Sequence, residues 1–396
     1  MKINDVKVYL LTSNLSEKEK WTFSGGSINK IRTSIIKIKT DEGIYGVGEI
    51  GESYSIPQSC KKIVEERFAP MLLGEDPFNI ERLWHKMYMR TSDWGRKGIV
   101  LSIISGIDIA LWDIVAKSLN KPLFKLLGGA CRDLVRVYAS AGMEKPVGEI
   151  IKEVEGYLEK GYTAIKVRIG LNFKRDYEVI QEIRKSFGYD LDLMVDAGQG
   201  YVDNPWTDFL AIQVAKKLEK FDLFWLEEPL HPDNIDGYRR LCNATSIPIA
   251  TGENECTLFG FKDLISPRAA DILQPDVTRA GGISECKKIA ALASTYQLPV
   301  APHTFGSGVS FMANFHFIVS TANILIMEHD CTANPLRDLL IKETVEVKNG
   351  FISLPTKPGL GIEINDDIEK KFPFEESCGV EKENQKNYGK QNWLNI

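Results

Sequence analysis

The sequence predicts an α/β protein: a closed barrel of parallel strands with a smaller unit ahead of it. Two patterns and the length carry that expectation. From Gly129 onward, short apolar runs and helix-like segments alternate about eight times, a βαβ rhythm that suits a closed barrel better than an open sheet. Three successive runs, 191–196, 224–227 and 247–253, end on Asp196, Glu227 and Glu253, at the strand ends where such a barrel places its chemistry. The chain has 396 residues, more than a typical single domain.

Residues 1 to about 50 read as antiparallel strands at 6–10, 33–40 and 46–50, with Asp41-Glu42-Gly43 as the turn between the last two. Between the first two strands, 13–30 is polar, bears glycines and carries Trp21 and Phe23, so a long loop acting as a lid is expected. From Pro57 to Leu127 the pattern is helical. Residues 104–117 are apolar on most faces, as in a buried helix, and Asn120-Lys121-Pro122 punctuates its end. The barrel strands are expected at 135–139, 164–168, 191–196, 224–227, 248–251, 272–274, 300–303 and 324–328. Helices between them include 146–160, 174–186 and 206–220. After residue 355 the chain leaves the barrel as a turn-rich segment, and about 375–396 reads as a polar tail.

Composition is that of an ordinary globular protein, 43% hydrophobic and 26% charged. A net charge of −5 gives no electrostatic case for nucleic acid or an anionic membrane as partner. The start alternates like a strand and carries Asp5, unlike a secretory signal. The most apolar stretch, 98–112, is interrupted by Ser102, Ser105, Gly106 and Asp108 and reads as too short to span a bilayer. Seven scattered cysteines without a Cys-x-x-Cys pair fit free thiols in a reducing compartment, so a cytoplasmic protein is expected.

Asp196, Glu227 and Glu253 are hard oxygen donors, and three converging carboxylates need a cation to avoid mutual repulsion. Without His or Cys among them, Mg²⁺ or Mn²⁺ is favoured over zinc. Glu228 competes with Glu227, but adjacent strand residues face opposite sides, so one of the two points into the site. Lys166 and Arg168 leave one face of the preceding strand and offset the negative charge of the triad and of an anionic substrate. Lys166 is a candidate base if neighbouring positive charge lowers its pKa; a guanidinium such as Arg168 stays protonated. Two later strand ends carry Asp276 and His303, the pairing in which a carboxylate fixes the imidazole tautomer and leaves the other nitrogen for proton transfer. Glu328, on the last strand, is a candidate donor to a developing oxyanion if kept protonated. His85, His231, His316 and His329 lack such a partner pattern and are expected to be structural.

These motifs resemble the enolase superfamily, in its mandelate racemase-like branch. The resemblance runs from about residue 3 to 365. It rests on the 110–129 segment, Asp196-Ala-Gly-Gln, Trp225-Leu-Glu-Glu-Pro, Gly252-Glu-Asn, Gln274-Pro-Asp, Pro302-His and Lys357-Pro-Gly-Leu-Gly, in order and spacing. It implies a modified TIM barrel, (β/α)₇β, under an α+β capping domain formed by the N-terminal part and the C-terminal segment. The corresponding division is 1–128, 129–355 and 356–396. It further implies Mg²⁺ on Asp196, Glu227 and Glu253, removal of the proton α to a carboxylate, and an enolate. Relatives are often multimers, so a homo-oligomer is expected.

Two departures shape the functional expectation. The family's Lys-x-Lys has Arg168 at its second position, and the Asn that often follows the first metal ligand by two is Gly198. Replacing one of two opposed bases disfavours a two-base racemase, whereas a dehydratase removes its proton from one face. In relatives the His–Asp dyad serves acids of R configuration at C2. The expected activity is therefore dehydration of a small sugar acid, of the D-gluconate or D-galactonate type, to a 2-keto-3-deoxy acid, with Arg168 as a carboxylate clamp. A racemase, epimerase or cycloisomerase is the first alternative, and a barrel that binds sugar acids without turnover is the second.

Overall fold

The computed structural model describes residues 1–340, 345–364, 366–377 and 380–381. The cap begins with β1 (Ile3–Asn14), a small hairpin of β2 (Trp21–Phe23) and β3 (Gly26–Ile28), then β4 (Lys30–Thr40) and β5 (Tyr45–Ile50). β1, β4 and β5 form an antiparallel sheet in that order, in register Val8↔Ile36 and Ile36↔Gly48. The expected long loop is shorter. Polar Thr12, Ser13 and Asn14 stay in β1 because their backbone pairs with Arg32, Ile31 and Lys30, and the β2–β3 hairpin fills much of the remainder.

The buried helix expected at 104–117 extends over Ile99–Ser118. Its 20 residues are long and apolar enough to cross a membrane, which corrects the expectation that this stretch is too short. In the fold it is almost wholly buried, packed against β5 and the barrel helix Gly282–Thr295. Two glycines of β5 make the close approach possible. A Cβ on Gly48 would sit 1.9 Å from the Gly106 carbonyl oxygen, and one on Gly46 2.0 Å from that of Ala110.

The barrel strands are β6 (Leu134–Ser140), β7 (Ala164–Arg168), β8 (Asp192–Asp196), β9 (Trp225–Glu227), β10 (Ile249–Thr251), β11 (Ile272–Leu273) and β12 (Met327–Asp330). Neighbours pair in parallel from β6 to β11, and β12 pairs β6. The strand expected at 300–303 is reduced to Val300, which bridges Leu273 on one side and Ile324 on the other and so completes the ring. Pro299 and Pro302 limit how many amides this strand can give to a ladder. Seven helices, from Val147–Glu159 to Gly308–Val319, alternate with these eight strand positions, which is the (β/α)₇β pattern. Inside the ring, Tyr138, Met194, Trp225, Ile272 and Ile326 form an apolar floor, with the Trp225 ring edge-on to Tyr138.

The chain then returns to the cap. Asp366 accepts hydrogen bonds from Tyr9 Oη (2.5 Å) and Lys37 Nζ (2.8 Å), and Glu375 accepts from Lys30 Nζ (2.8 Å). Of the tail expected at 375–396, residues 378–379 and 382–396 lie outside the described residues.

His316, on the last barrel helix, accepts from the Phe124 amide at Nδ1 (3.1 Å) and is fully buried. Burial pushes its pKa down to about 3, against about 6.5 in an unfolded chain. Between those values the unfolded state takes a proton that the folded state refuses, so this group costs nothing above pH 6.5 and destabilises the fold as pH falls. The expected loss at pH 5 is about 2 kcal/mol. Denaturant titrations at pH 7 and pH 5 check this: the difference should shrink by about that amount in His316→Asn.

Candidate active site

Parallel register brings the three carboxylates to adjacent strand ends. Asp196 pairs with Glu227 across β8 and β9, and Glu253 follows β10 by two residues. All three are buried. At Glu228 the backbone takes a left-handed φ of 44°, rare for a side-chain-bearing residue. Glu228 then points away from the site and accepts from Thr251 Oγ1, Gly252 N (3.3 Å) and Asn254 Nδ2 (3.1 Å). It thereby fixes the turn that carries Glu253. Burial first, then the nearby Glu253, pushes its pKa up to about 7.

Lys166 is wholly buried beneath the triad, with Nζ 2.5 Å from Glu227, 2.9 Å from Glu328 and 3.7 Å from Asp196. Burial works to lower its pKa, but Glu227 and Glu328 outweigh that and hold it above its ordinary value. Its nearest charges are the carboxylates of Glu227 and Glu328, while Arg168 and a cation on the triad would act in the opposite sense. Arg168 pairs with Asp196 and also faces the cavity.

Glu328 sits beside Lys166, wholly buried. Burial would raise its pKa, but Lys166, His303 and Arg168 lower it to about 2. Its Oε2 accepts from Thr304 N (2.8 Å), and its Oε1 lies 2.9 Å from Lys166 Nζ.

Asp276 and His303 meet as the sequence suggested, Nδ1 to Oδ2 at 2.8 Å. Asp276 Oδ1 accepts from Thr278 N and Oγ1, both 2.8 Å, and from Asn314 Nδ2 (3.3 Å), so it is held on both oxygens. The donor on His303 is its Nδ1–H, leaving Nε2 toward the cavity, 3.9 Å from Glu253. Burial lowers the His303 pKa, but Glu253, Asp276 and Glu328 bring it up to about 9.

The cavity lies between the β2–β3 hairpin, the 50–54 loop and the strand ends. Trp21, Phe23, Tyr54 and Phe305 line it together with Arg168, Glu253 and His303. Lys166, Glu227, Asp276 and Glu328 sit below that lining. Sequence reading missed two groups that orient the triad. Trp225 Nε1 donates to Glu227 Oε2 (2.8 Å), and Tyr201 Oη donates to Glu253 Oε1 (2.5 Å). Trp225 was findable, since it lies two residues before Glu227 on the same strand face. Tyr201 sits in a short turn with no periodic signal.

The donor chemistry fits a hard divalent cation: three buried carboxylates at adjacent strand ends, with no thiolate or imidazole among them. Among the described residues, however, no three such groups form a ready-made cage. Lys166 and Arg168 reach for the same oxygens that a cation would use.

A (β/α)₇β barrel under an α+β cap, with acids at successive strand ends, defines the class, and the chain belongs to the enolase superfamily. Residues 6–128 match the family described as mandelate racemase / muconate lactonizing enzyme, N-terminal domain, and residues 149–368 match the enolase C-terminal domain-like family. The chain is 35% identical to D-galactarolactone cycloisomerase of Agrobacterium fabrum, covering 94% of this chain and 99% of that one. It is also 35% identical to arabinonate dehydratase of Saccharolobus solfataricus, covering 93% and 99%. Among solved structures, a racemase from Streptomyces coelicolor with bound magnesium superposes with a TM-score of 0.84 at 29% identity, covering 93% and 99%.

Proposed function

We propose that this chain is a Mg²⁺-dependent sugar-acid dehydratase that converts an aldonate, D-gluconate or D-galactonate in the first instance, to a 2-keto-3-deoxy acid. The carrying observation is the asymmetry of the site. A buttressed His303–Asp276 dyad faces the cavity, while the opposite position carries Arg168, whose guanidinium is a poor base and suits a substrate carboxylate. Asp196, Glu227 and Glu253 would hold the cation. When bound, it supplies counter-charge for the triad and for negative charge developing on the substrate. With positive charge on the triad bringing its pKa down, a neutral His303 Nε2 takes the proton from C2, forming an enolate, and returns it to the hydroxyl that leaves C3 as water. The resulting enol then takes a solvent proton at C3 to give the keto acid. Lys166 and Glu328 keep the triad in place from below. Six described cysteines are free thiols, which supports a cytoplasmic setting. A homo-oligomer is also proposed, on the habit of the family.

The cycloisomerase relative favours one rival, in which the same dyad serves an intramolecular ring closure or opening. A panel of aldonic, aldaric and lactone substrates with Mg²⁺, read for 2-keto-3-deoxy acid, separates the two. Keto acid from an aldonate is expected; isomerised lactone without keto acid would sink the dehydratase reading.

A further inference from the structure

Glu49 belongs to the cap, yet most of its hydrogen bonds come from the barrel segment just after His303. Its Oε2 accepts from Ser307 Oγ (2.6 Å), Ser310 N (2.9 Å) and Ser307 N (3.1 Å). Its Oε1 accepts from Ser307 N (3.0 Å) and from Thr33 Oγ1 (2.7 Å), which anchors the carboxylate in its own sheet. Ser307 is the N-cap of the helix Gly308–Val319, and its hydroxyl oxygen also accepts from Val309 N. Amides in a first helical turn lack intrahelical acceptors, and that end of the helix favours negative charge. Glu49 supplies both the acceptor and the charge, from across the boundary between cap and barrel.

Only residues 304–306 separate His303 from Ser307, where this anchor holds. One end is tied by the Thr304 amide to Glu328 at 2.8 Å, the other by Ser307 to Glu49. Between them Gly306 passes so close that a Cβ there would lie 3.0 Å from Glu49 Oε1. The neighbouring barrel helix repeats the arrangement. Asp108 of the cap accepts from Ser284 N (3.1 Å) and Oγ (2.6 Å) in the first turn of Gly282–Thr295, the helix that follows Asp276. The two helices gripped by cap carboxylates are the two that follow the dyad residues.

We propose that Glu49 is a positioning residue, a cap-borne carboxylate that fixes the 304–307 segment and thereby holds His303 against Asp276. The link to turnover rests on the dehydratase reading, whereas the structural tie stands without it. Glu49→Gln keeps the side-chain volume but turns one acceptor oxygen into a donor facing amides that need acceptors. In the full-length protein with Mg²⁺, hydrogen exchange in peptides spanning 304–312 is expected to quicken by roughly tenfold, with Asp208–Leu218 unchanged. A crystal structure of the variant should show the His303–Asp276 contact lengthened beyond 2.8 Å. On any sugar acid that the wild type dehydrates, kcat should fall roughly 10- to 100-fold, with KM nearly constant. The isotope effect from deuterium at C2 should rise, because proton removal becomes slower. Ser307→Ala, which deletes one donor and leaves the carboxylate, should shift each readout the same way by less.

Unchanged exchange at 304–312, or an unmoved His303, would overturn the tie. Faster exchange with unchanged kcat and isotope effect would overturn the positioning role. A wild type inactive on every sugar acid would defeat the dehydratase reading, and exchange and the crystal structure would still decide the tie.

Discussion

His303→Asn is expected to lower kcat by about 10³-fold, within the range that loss of a general acid–base group produces. The replacement has no titratable nitrogen and cannot carry a proton from C2 to the departing hydroxyl. Folding should survive, because Asp276 keeps its bonds from Thr278 and Asn314 when the imidazole is gone. Keto-acid formation measures the first effect and a thermal melt the second. A kcat within tenfold of wild type, in a folded variant, would remove His303 from the reaction.

Glu227→Gln is expected to act on both cation binding and stability. Loss of a group that merely supports a metal ligand costs about 10- to 100-fold in affinity, so loss of a ligand itself should weaken Mg²⁺ binding by more than about 100-fold. The variant also leaves Lys166 with one fewer anion in a fully buried place. Breaking a buried pair costs about 3–5 kcal/mol. Glu328, 2.9 Å away, still partners the ammonium, so the lower end or less is expected. Calorimetric titration with Mg²⁺ and melts with and without EDTA read the two effects. Chelator should lower the wild-type melting temperature and leave the variant nearly unmoved.

Much of the barrel was legible because its signals are local. Ala164–Arg168 matches the expected strand residue for residue, and Phe173–Phe187 extends the expected helix by one residue at each end. The seventh strand was overcalled because an apolar run flanked by prolines looks like a strand, whereas prolines give no amide to the ladder. At the site, Asp276 and His303 were readable as neighbouring strand ends. Charge states were not, because they depend on what faces a residue across the barrel. Lys166 and Glu328 lie 162 positions apart, and their contact, which shifts the pKa of each, has no trace in either's sequence neighbourhood. The grip of Glu49 on Ser307, 258 positions away, was hidden for the same reason.

One-face chemistry is the central claim, and deuterium reads it directly. A D-aldonate of R configuration at C2 is incubated with the Mg²⁺-loaded protein in D₂O and followed by proton NMR. The expected result is a 2-keto-3-deoxy acid carrying solvent deuterium at C3, with the remaining substrate unchanged in C2 configuration. Substrate epimerised at C2 with no keto acid would contradict it, since that outcome needs proton transfer from the face on which Arg168 stands.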